Sequence, residues 1–340
     1  MKWIAPAKDD DIVISTRIRL ARNINHIVFP GALDARVSVD VVNTVFSALS
    51  NSDFRAQRIS GMTTQQRYAL MEQHMISPDM TKNENGGVVI SDDQHICVMV
   101  NEEDHLRIQT IYPGDQLDLA LDSAMRVDDL LNERLEYAFD PRLGYLTACP
   151  TNVGTGLRAS AMLHLPAMSI TSQIQPIITA MGKVGLTVRG IYGEGTEASA
   201  AIYQISNQVT LGVSEKELTQ KIQAMAQQVI HSERTEREKI LSNNRVFAED
   251  KIFRALGTLK YARSITTIEA FELLSHLKIG AAAGLINGLE QCDLNRLMIE
   301  IQPSVLQQTN NSNLAEEQRD EVRASVIRDA LAGASVSGNN

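Results

Sequence analysis

The chain has 340 residues, room for about two domains, and its 44% hydrophobic and 21% charged content excludes wholesale disorder. A net charge of −9 argues against general nucleic-acid binding, though it leaves room for local basic pockets. Cys97, Cys149 and Cys292 form neither a disulfide framework nor a CxxC zinc pair; no signal-peptide core opens the chain, and no apolar run reaches the roughly 18 residues a membrane helix needs. A reducing, bacterial-type cytoplasm is the simplest compartment.

The first motif in chain order is "STRIRLARN", residues 15–23. On an extended strand Arg17 and Arg19 point to one face, where two guanidinium forks can clamp phosphate; the plain alternative is a solvated strand face. "GVVIS" and "ICVMVN" flank the turn-like "DDQH" and predict a hairpin over 87–101. "NEEDHLRI", 101–108, gathers three acids, a histidine and an arginine at a strand end, which reads as part of a site or as an ordinary turn. Leu117, Leu121, Ala124, Leu131 and Leu135 recur at helical steps, with some breaks, and predict a helix over 116–137.

"CPTNVGTGLRAS", 149–160, has the look of a phosphate loop. The chain has no P-loop: its Gly182-Lys183 pair is followed by valine, with Ile177 where the first glycine belongs. Gly154, Gly156 and Ala159 match a permissive dinucleotide pattern, but no Asp or Glu follows at the ribose-binding distance. Indeed no acid occurs from Arg142 to Gly193, while Arg142, Arg158, Lys183 and Arg189 do. That stretch suits either a polyanion pocket or a buried sheet with surface arginines.

In "VRGIYGEGTEA", 188–198, two glycine turns bracket Glu194, with Glu197 close behind. "LTVRGIYG" and "AIYQISNQVTLG" predict further strands, so the first part is an α+β sheet domain. From Ser214 the pattern turns helical: Ser214 and Glu217, then Thr266 and Glu269, read as capping boxes ahead of apolar periodic runs. "AGASVSGNN" reads as a frayed tail. The division predicted is 1–213 α+β, 214–335 helical, and 336–340 flexible.

In this order "STRIRLARN", "NEEDHLRI", "CPTNVGTGLRAS" and "VRGIYGEG" resemble the ATP:guanido phosphotransferases, the creatine and arginine kinase family, over roughly 12–212. The resemblance implies an antiparallel sheet flanked by helices and transfer of the γ-phosphoryl of Mg-ATP to a guanidinium nitrogen, a reaction that rests on positioning and charge stabilisation. It implies that Arg17, Arg19, Arg107, Arg158 and Arg189 surround the phosphates, with His74 of "EQHMISP" near adenine or ribose. Ser15, Thr16, Ile18, Ala159, Ser160, Ala161, Met162, Gly190, Ile191, Tyr192, Gly193 and Glu194 complete the implied ATP contacts. A carboxylate in the acid-free stretch would repel the triphosphate.

The acceptor guanidinium is a poor nucleophile while protonated, so carboxylates must orient it and one must take its proton. By resemblance these are Glu103 and Glu194, and which is the base stays open. Cys149 is implied to stand beside the guanidinium as a thiolate that pairs with it electrostatically and forms no phosphoryl-enzyme. No dedicated metal site is implied; Mg2+ comes with the nucleotide. Cys97 and Cys292 keep the plain reading of inert side chains.

Small-molecule members of the family carry a helical domain ahead of the first arginine motif, whereas here that motif begins at Ser15 and helices follow the catalytic part. This layout is similar to the bacterial protein-arginine kinases, whose acceptor is an arginine on a protein surface. "RDEVRA", 319–324, matches an RDxxRA motif that forms a phosphoarginine pocket in those kinases, which implicates Arg319, Asp320, Arg323 and Ala324. From spacing alone the same residues make an ordinary charged helix face. The resemblance further implies a homodimer, a zinc-binding activator protein, a Clp-type ATPase–protease and a heat-shock transcriptional repressor as substrate, with no direct nucleic-acid or membrane partner. The rival readings are a free-arginine kinase and a catalytically inactive phosphoarginine-binding adaptor.

Overall fold

The computed structural model describes residues 3–50, 53–191 and 199–338. Its sheet domain contains β1 (Val13–Arg22), α1 (Ala35–Ala48), β2 (Phe54–Arg58), α2 (Thr64–Glu72), β3 (Gly87–Ser91), β4 (Ile96–Val100), β5 (Leu106–Pro113) and α3 (Leu117–Asn132). A two-stranded ribbon, β6 (Phe139–Asp140) and β7 (Gly144–Tyr145), leads to β8 (Leu157–His164), α4 (Pro166–Ile170), α5 (Ile174–Lys183), β9 (Leu186–Gly190) and β10 (Ile202–Asn207). The helical part follows as α6 (Glu215–Asn243), α7 (Arg245–Tyr261), α8 (Thr267–Ala282), β11 (Ile286–Asn287), α9 (Gln291–Glu300), α10 (Pro303–Thr309), α11 (Glu316–Ala330) and β12 (Ser335–Val336).

Eight strands form one sheet in the order β2-β3-β4-β5-β1-β8-β10-β9, every neighbouring pair antiparallel. This is the expected α+β architecture, with a helical C-terminal part. The alternation of side chains along each strand decides what each face carries. Ile18 and Leu20 of β1, Leu106 and Ile108 of β5, and Leu157, Ala159 and Ala161 of β8 join one buried cluster with residues of α1, α3 and α6. Arg17, Arg19, Arg107 and Arg158 occupy the alternate positions, on the opposite face. Farther along that face, Ile14, Met162 and Ile202 pack into the helical core with Ile252, Leu256 and Leu274. The helical part therefore covers one end of the face, also packs beside Met99 and Ile111 through Ile299 and Val305, and leaves clefts over the arginines.

The predicted hairpin forms as β3 and β4. The predicted helix ends at Asn132, short of 137, because Tyr137 bridges to Ile24 and Glu136 accepts from the Asn25 N–H. The strand expected over 201–212 stops at Asn207; beyond it Thr210 turns back to donate from its hydroxyl to the carbonyls of Thr151 and Val153. Likewise β9 stops at Gly190. Ser214 and Glu217 form the reciprocal capping box, while Thr266 caps α8 through the Glu269 N–H. Leu218, Ile222, Ala226 and Val229 of α6 pack into the sheet-domain core. The tail is less frayed than expected: Ser335 and Val336 pair with Asn287 and Ile286, and Ala334 is buried.

Candidate active site

Strand register brings the first group of sequence-predicted residues together. Arg19 stands directly opposite Arg158 on one side and Gln109 on the other, and Arg107 pairs across from Ala21. Like charges directly opposite destabilise an empty sheet. Burial, followed by Arg17, Arg107 and Arg158, holds the Arg19 guanidinium well below the usual arginine range, with Glu102 opposing. The Nε atoms of Arg19 and Arg158 are shut from solvent without a hydrogen-bond partner. A cleft of about 370 Å³ opens over Arg17, Arg19, Arg107 and His74. Concentrated cations with unsatisfied donors fit a polyphosphate.

Partly buried His74 has φ +62° and contacts the ring of Trp3, with its carbonyl accepting from Gln109 Nε2 at 2.8 Å. Burial and the nearby Arg17 push its imidazole down to about 3, so it is neutral at physiological pH. Arg17 itself donates to Gln204 Oε1 at 2.8 Å. Ser15 and Thr16 are buried in the strand, Thr16 Oγ1 accepting from the Gln116 N–H, and Ile18 points into the core.

A second cleft, about 210 Å³, is bounded by Thr151, Asn152, Arg158, Arg189 and Asn207. Burial and then Arg189 and Arg107 lower the Arg158 guanidinium, while Cys149 opposes them. Arg158 thus stands within electrostatic reach of the thiol and of both neighbouring arginines. Arg158 Nη2 donates to Ser206 Oγ at 3.3 Å. In β8, Ala159 and Ala161 face the core, Ser160 is buried, and Met162 packs against the helical part. Gly190 ends β9 and Ile191 packs toward the helical core. Tyr192, Gly193, Glu194 and Glu197 lie outside the described residues.

Half-buried Cys149 begins a short turn and lies 3.0 Å from Thr151 Oγ1 through its Sγ. Glu103 is exposed in the β4–β5 turn and pairs with Arg107 Nη2 at 3.2 Å. Although exposed at its tip, Glu103 is partly desolvated, which raises its carboxyl; Arg107 opposes, and Asp104, Glu102 and Asp79 add to the rise. A raised carboxylate is a better proton acceptor. Its neighbour Glu102, which sequence reasoning passed over, is the closer partner, at 2.6 Å from Arg107 Nη1, and also accepts from Ser77.

Three motifs are fastened together by two further residues the sequence reading missed. Asn23 donates to Asp104 Oδ1 at 2.6 Å and accepts from the His105 N–H at 2.9 Å. Asp104 Oδ1 also accepts from the Ala148 N–H at 2.7 Å, next to Cys149. Both lie inside quoted motifs, so their polarity was a signal; their burial was not. Beneath the cysteine loop, fully buried Arg22 pairs with Asp128 at 2.7 Å, donates to the Thr155 carbonyl at 2.9 Å, and stacks 3.5 Å over Tyr145. Gly156, at φ +63°, leaves that guanidinium room: a Cβ there would lie 2.7 Å from Arg22 Nη1.

The RDxxRA residues lie on α11, remote in sequence. Arg323 is buried and donates to the carbonyls of Ile301 at 2.9 Å and Ile265 at 2.8 Å, and to Asp320. Ala324 is buried, whereas Arg319 and Asp320 are partly exposed. Arg319 is close enough to lower the Glu72 carboxyl against the larger upward effect of burial. Among the described residues, no group of three or more His, Cys, Asp or Glu side chains could hold a metal, and no helix is long and apolar enough to cross a membrane.

Residues 37–236 match the ATP:guanido phosphotransferase C-terminal catalytic domain, and 245–340 match the protein-arginine kinase McsB C-terminal domain. A protein-arginine kinase of Caldanaerobacter subterraneus is 45% identical over 330 residues, covering 95% of this chain and 98% of the relative. That of Bacillus subtilis is 43% identical over 329 residues, covering 95% and 91%. Among solved structures, a lombricine kinase aligns with a TM-score of 0.60 at 28% identity, over 67% of each chain. The chain belongs to the ATP:guanido phosphotransferase family.

Proposed function

We propose that this enzyme is a protein-arginine kinase: ATP and an arginine side chain of a protein give ADP and N-phosphoarginine. The observation that carries the reading is the register that sets Arg19 beside Arg158, with unpartnered donors, within reach of Cys149 and Arg107. The relatives named protein-arginine kinase, alike over nearly the whole chain, support the choice of acceptor.

In this reading Arg17, Arg19, Arg107, Arg158 and Arg189 hold the phosphates in line, replacing water with fixed cations. Mg2+ would enter with the nucleotide, bound to its phosphates, and would neutralise part of their charge. Glu103 orients the acceptor guanidinium, with Glu194 as the second carboxylate; one takes the proton released as the N–P bond forms and the γ-phosphoryl leaves ADP. Cys149 Sγ, as thiolate, balances the acceptor's charge. Residues 1–213 would then be the catalytic part and 214–335 the part for dimerisation and phosphoarginine binding. Arg319 and Asp320 of α11 would meet a phosphoarginine, with Arg323 and Ala324 fixing the helix beneath them.

The same reading assigns the product as a mark for a Clp-type ATPase–protease in cytoplasmic protein quality control and stress response, with a zinc-binding activator and a heat-shock repressor as partners. Purified protein with radiolabelled Mg-ATP and an arginine-rich protein should give acid-labile protein label, and Cys149→Ala should remove most of it. Label on free arginine alone would select a phosphagen kinase. No label, with activator supplied, would select the binding adaptor.

A further inference from the structure

The cleft over Arg17, Arg19 and Arg107 has one wall from far along the chain. Its other lining residues lie between Arg17 and Gln109, but Gln302, from the residue that caps α10, also lines it. The junction is built rather than incidental. Glu72, the last residue of α2, accepts from Ser304 N at 2.8 Å, Ser304 Oγ at 2.8 Å and Val305 N at 2.9 Å. Gln302 Nε2 donates to the Glu72 carbonyl at 3.3 Å. Ile299 and Val305 pack in one apolar cluster with Met62, Ala69, Met75 and Ile76.

His74 lies two residues beyond Glu72, in a left-handed backbone conformation uncommon for a residue with a side chain. The segment that presents it is therefore held from both ends. Gln109 of β5 holds its carbonyl, and the first turn of α10 holds Glu72. A displacement of α10 must move Glu72, and with it His74 and the depth of the cleft.

We propose that the helical domain completes the donor site: Gln302 contacts the polar edge of the nucleoside, and the Glu72–α10 clamp is a positioning element that sets His74 against it. This rests on the reading of the arginine cleft as the ATP site. An amide offers both a donor and an acceptor, which suits a purine edge or a ribose hydroxyl. The phosphates are held by the arginines and do not need Gln302. Nucleoside recognition and phosphate recognition thus come from different parts of the chain.

Calorimetric titration of the full-length protein with ADP and, separately, with inorganic tripolyphosphate tests this. Gln302→Leu should weaken ADP about tenfold, the worth of one or two hydrogen bonds, and leave tripolyphosphate binding within about twofold. Arg19→Met should weaken both. Glu72→Gln should raise KM for ATP several-fold with kcat at saturation little changed; Ser304→Ala should do the same more weakly, and Ser304→Thr should restore the parent value. Unchanged ADP affinity in folded Gln302→Leu and Ser304→Ala, with Arg19→Met impaired, would overturn the proposal alone. Unchanged binding of both ligands in Arg19→Met would overturn the cleft reading beneath it.

Discussion

Arg19 in the sheet and Arg323 in the helical domain put the same guanidinium into opposite surroundings. Arg323 donates to two backbone carbonyls and a carboxylate, and ties α11 to the ends of two other segments. Arg19 faces three other arginines, and its Nε has no partner. Arg22, in the same motif as Arg19, sides with Arg323: it is buried, paired with Asp128, and packed on Tyr145. Arg22 and Arg323, which the fold uses, have acceptors for their donors, whereas Arg19 is left repelled and incompletely bonded, as suits a cation kept for a ligand.

That difference predicts opposite responses to one substitution. Arg19→Met should lower kcat/KM for ATP by about 10²–10³-fold, the scale of losing one charge-stabilising donor. Its melting temperature should hold or rise, because like-charge repulsion is relieved. A clear fall in thermal stability would mean that Arg19 is structural after all. Arg323→Met should do the reverse, destabilising the fold by about 2–4 kcal/mol in chemical unfolding, since it strands buried carbonyls and Asp320. An Arg323→Met variant of parental stability would break the comparison from the other side.

A ligand should also tell Arg19 from Arg319, the partly exposed arginine of α11. Tripolyphosphate should raise the melting temperature of the parent protein and of Arg319→Ala, because a ligand that binds only the folded state stabilises it by mass action. The rise should be much smaller in Arg19→Met. An equal rise in all three would place the anion elsewhere.

How much of this was legible in the sequence depended on how local the cause was. Alternation along one strand put Arg17 and Arg19 on a common face, and the same parity places Arg22 with Ile18 and Leu20 on the core side. The hairpin and the Ser214 capping box are likewise set by neighbours in sequence. The four-residue spacing of Arg319 and Arg323 gave a shared helix face but not that Arg323 would be covered by Ile301 and Ile265. Asp104 meets both Asn23 and the Ala148 N–H only because the end of β1 and the turn before β5 converge on the segment that leads to Cys149. Gln302 carries no local signal at all; its place in the cleft comes from the docking of α10 on α2.

The smallest predicted effect concerns another buried cation, Lys278. Lys278 is fully buried on α8 and donates to Gln291 Oε1 at 3.0 Å and Asn295 Oδ1 at 2.6 Å, both neutral. Burial and then Arg237 push its ammonium down to about 7, with Asp10, Asp11 and Cys292 opposing. In the unfolded chain it keeps its proton up to the ordinary lysine value of about 10.5. Between these values the unfolded state binds more protons, so this lysine makes folded stability rise with pH from about 7 to 10.5 and weighs most against folding below 7. Lys278→Met should remove that penalty while leaving two amide oxygens without their donor, a net gain on the order of 1 kcal/mol at pH 6. Chemical unfolding across pH 6–9.5 should show the gain shrinking as pH rises. A gain independent of pH would mean that the ammonium keeps its proton inside the fold, and that its two neutral partners satisfy it as fully as the carbonyls satisfy Arg323.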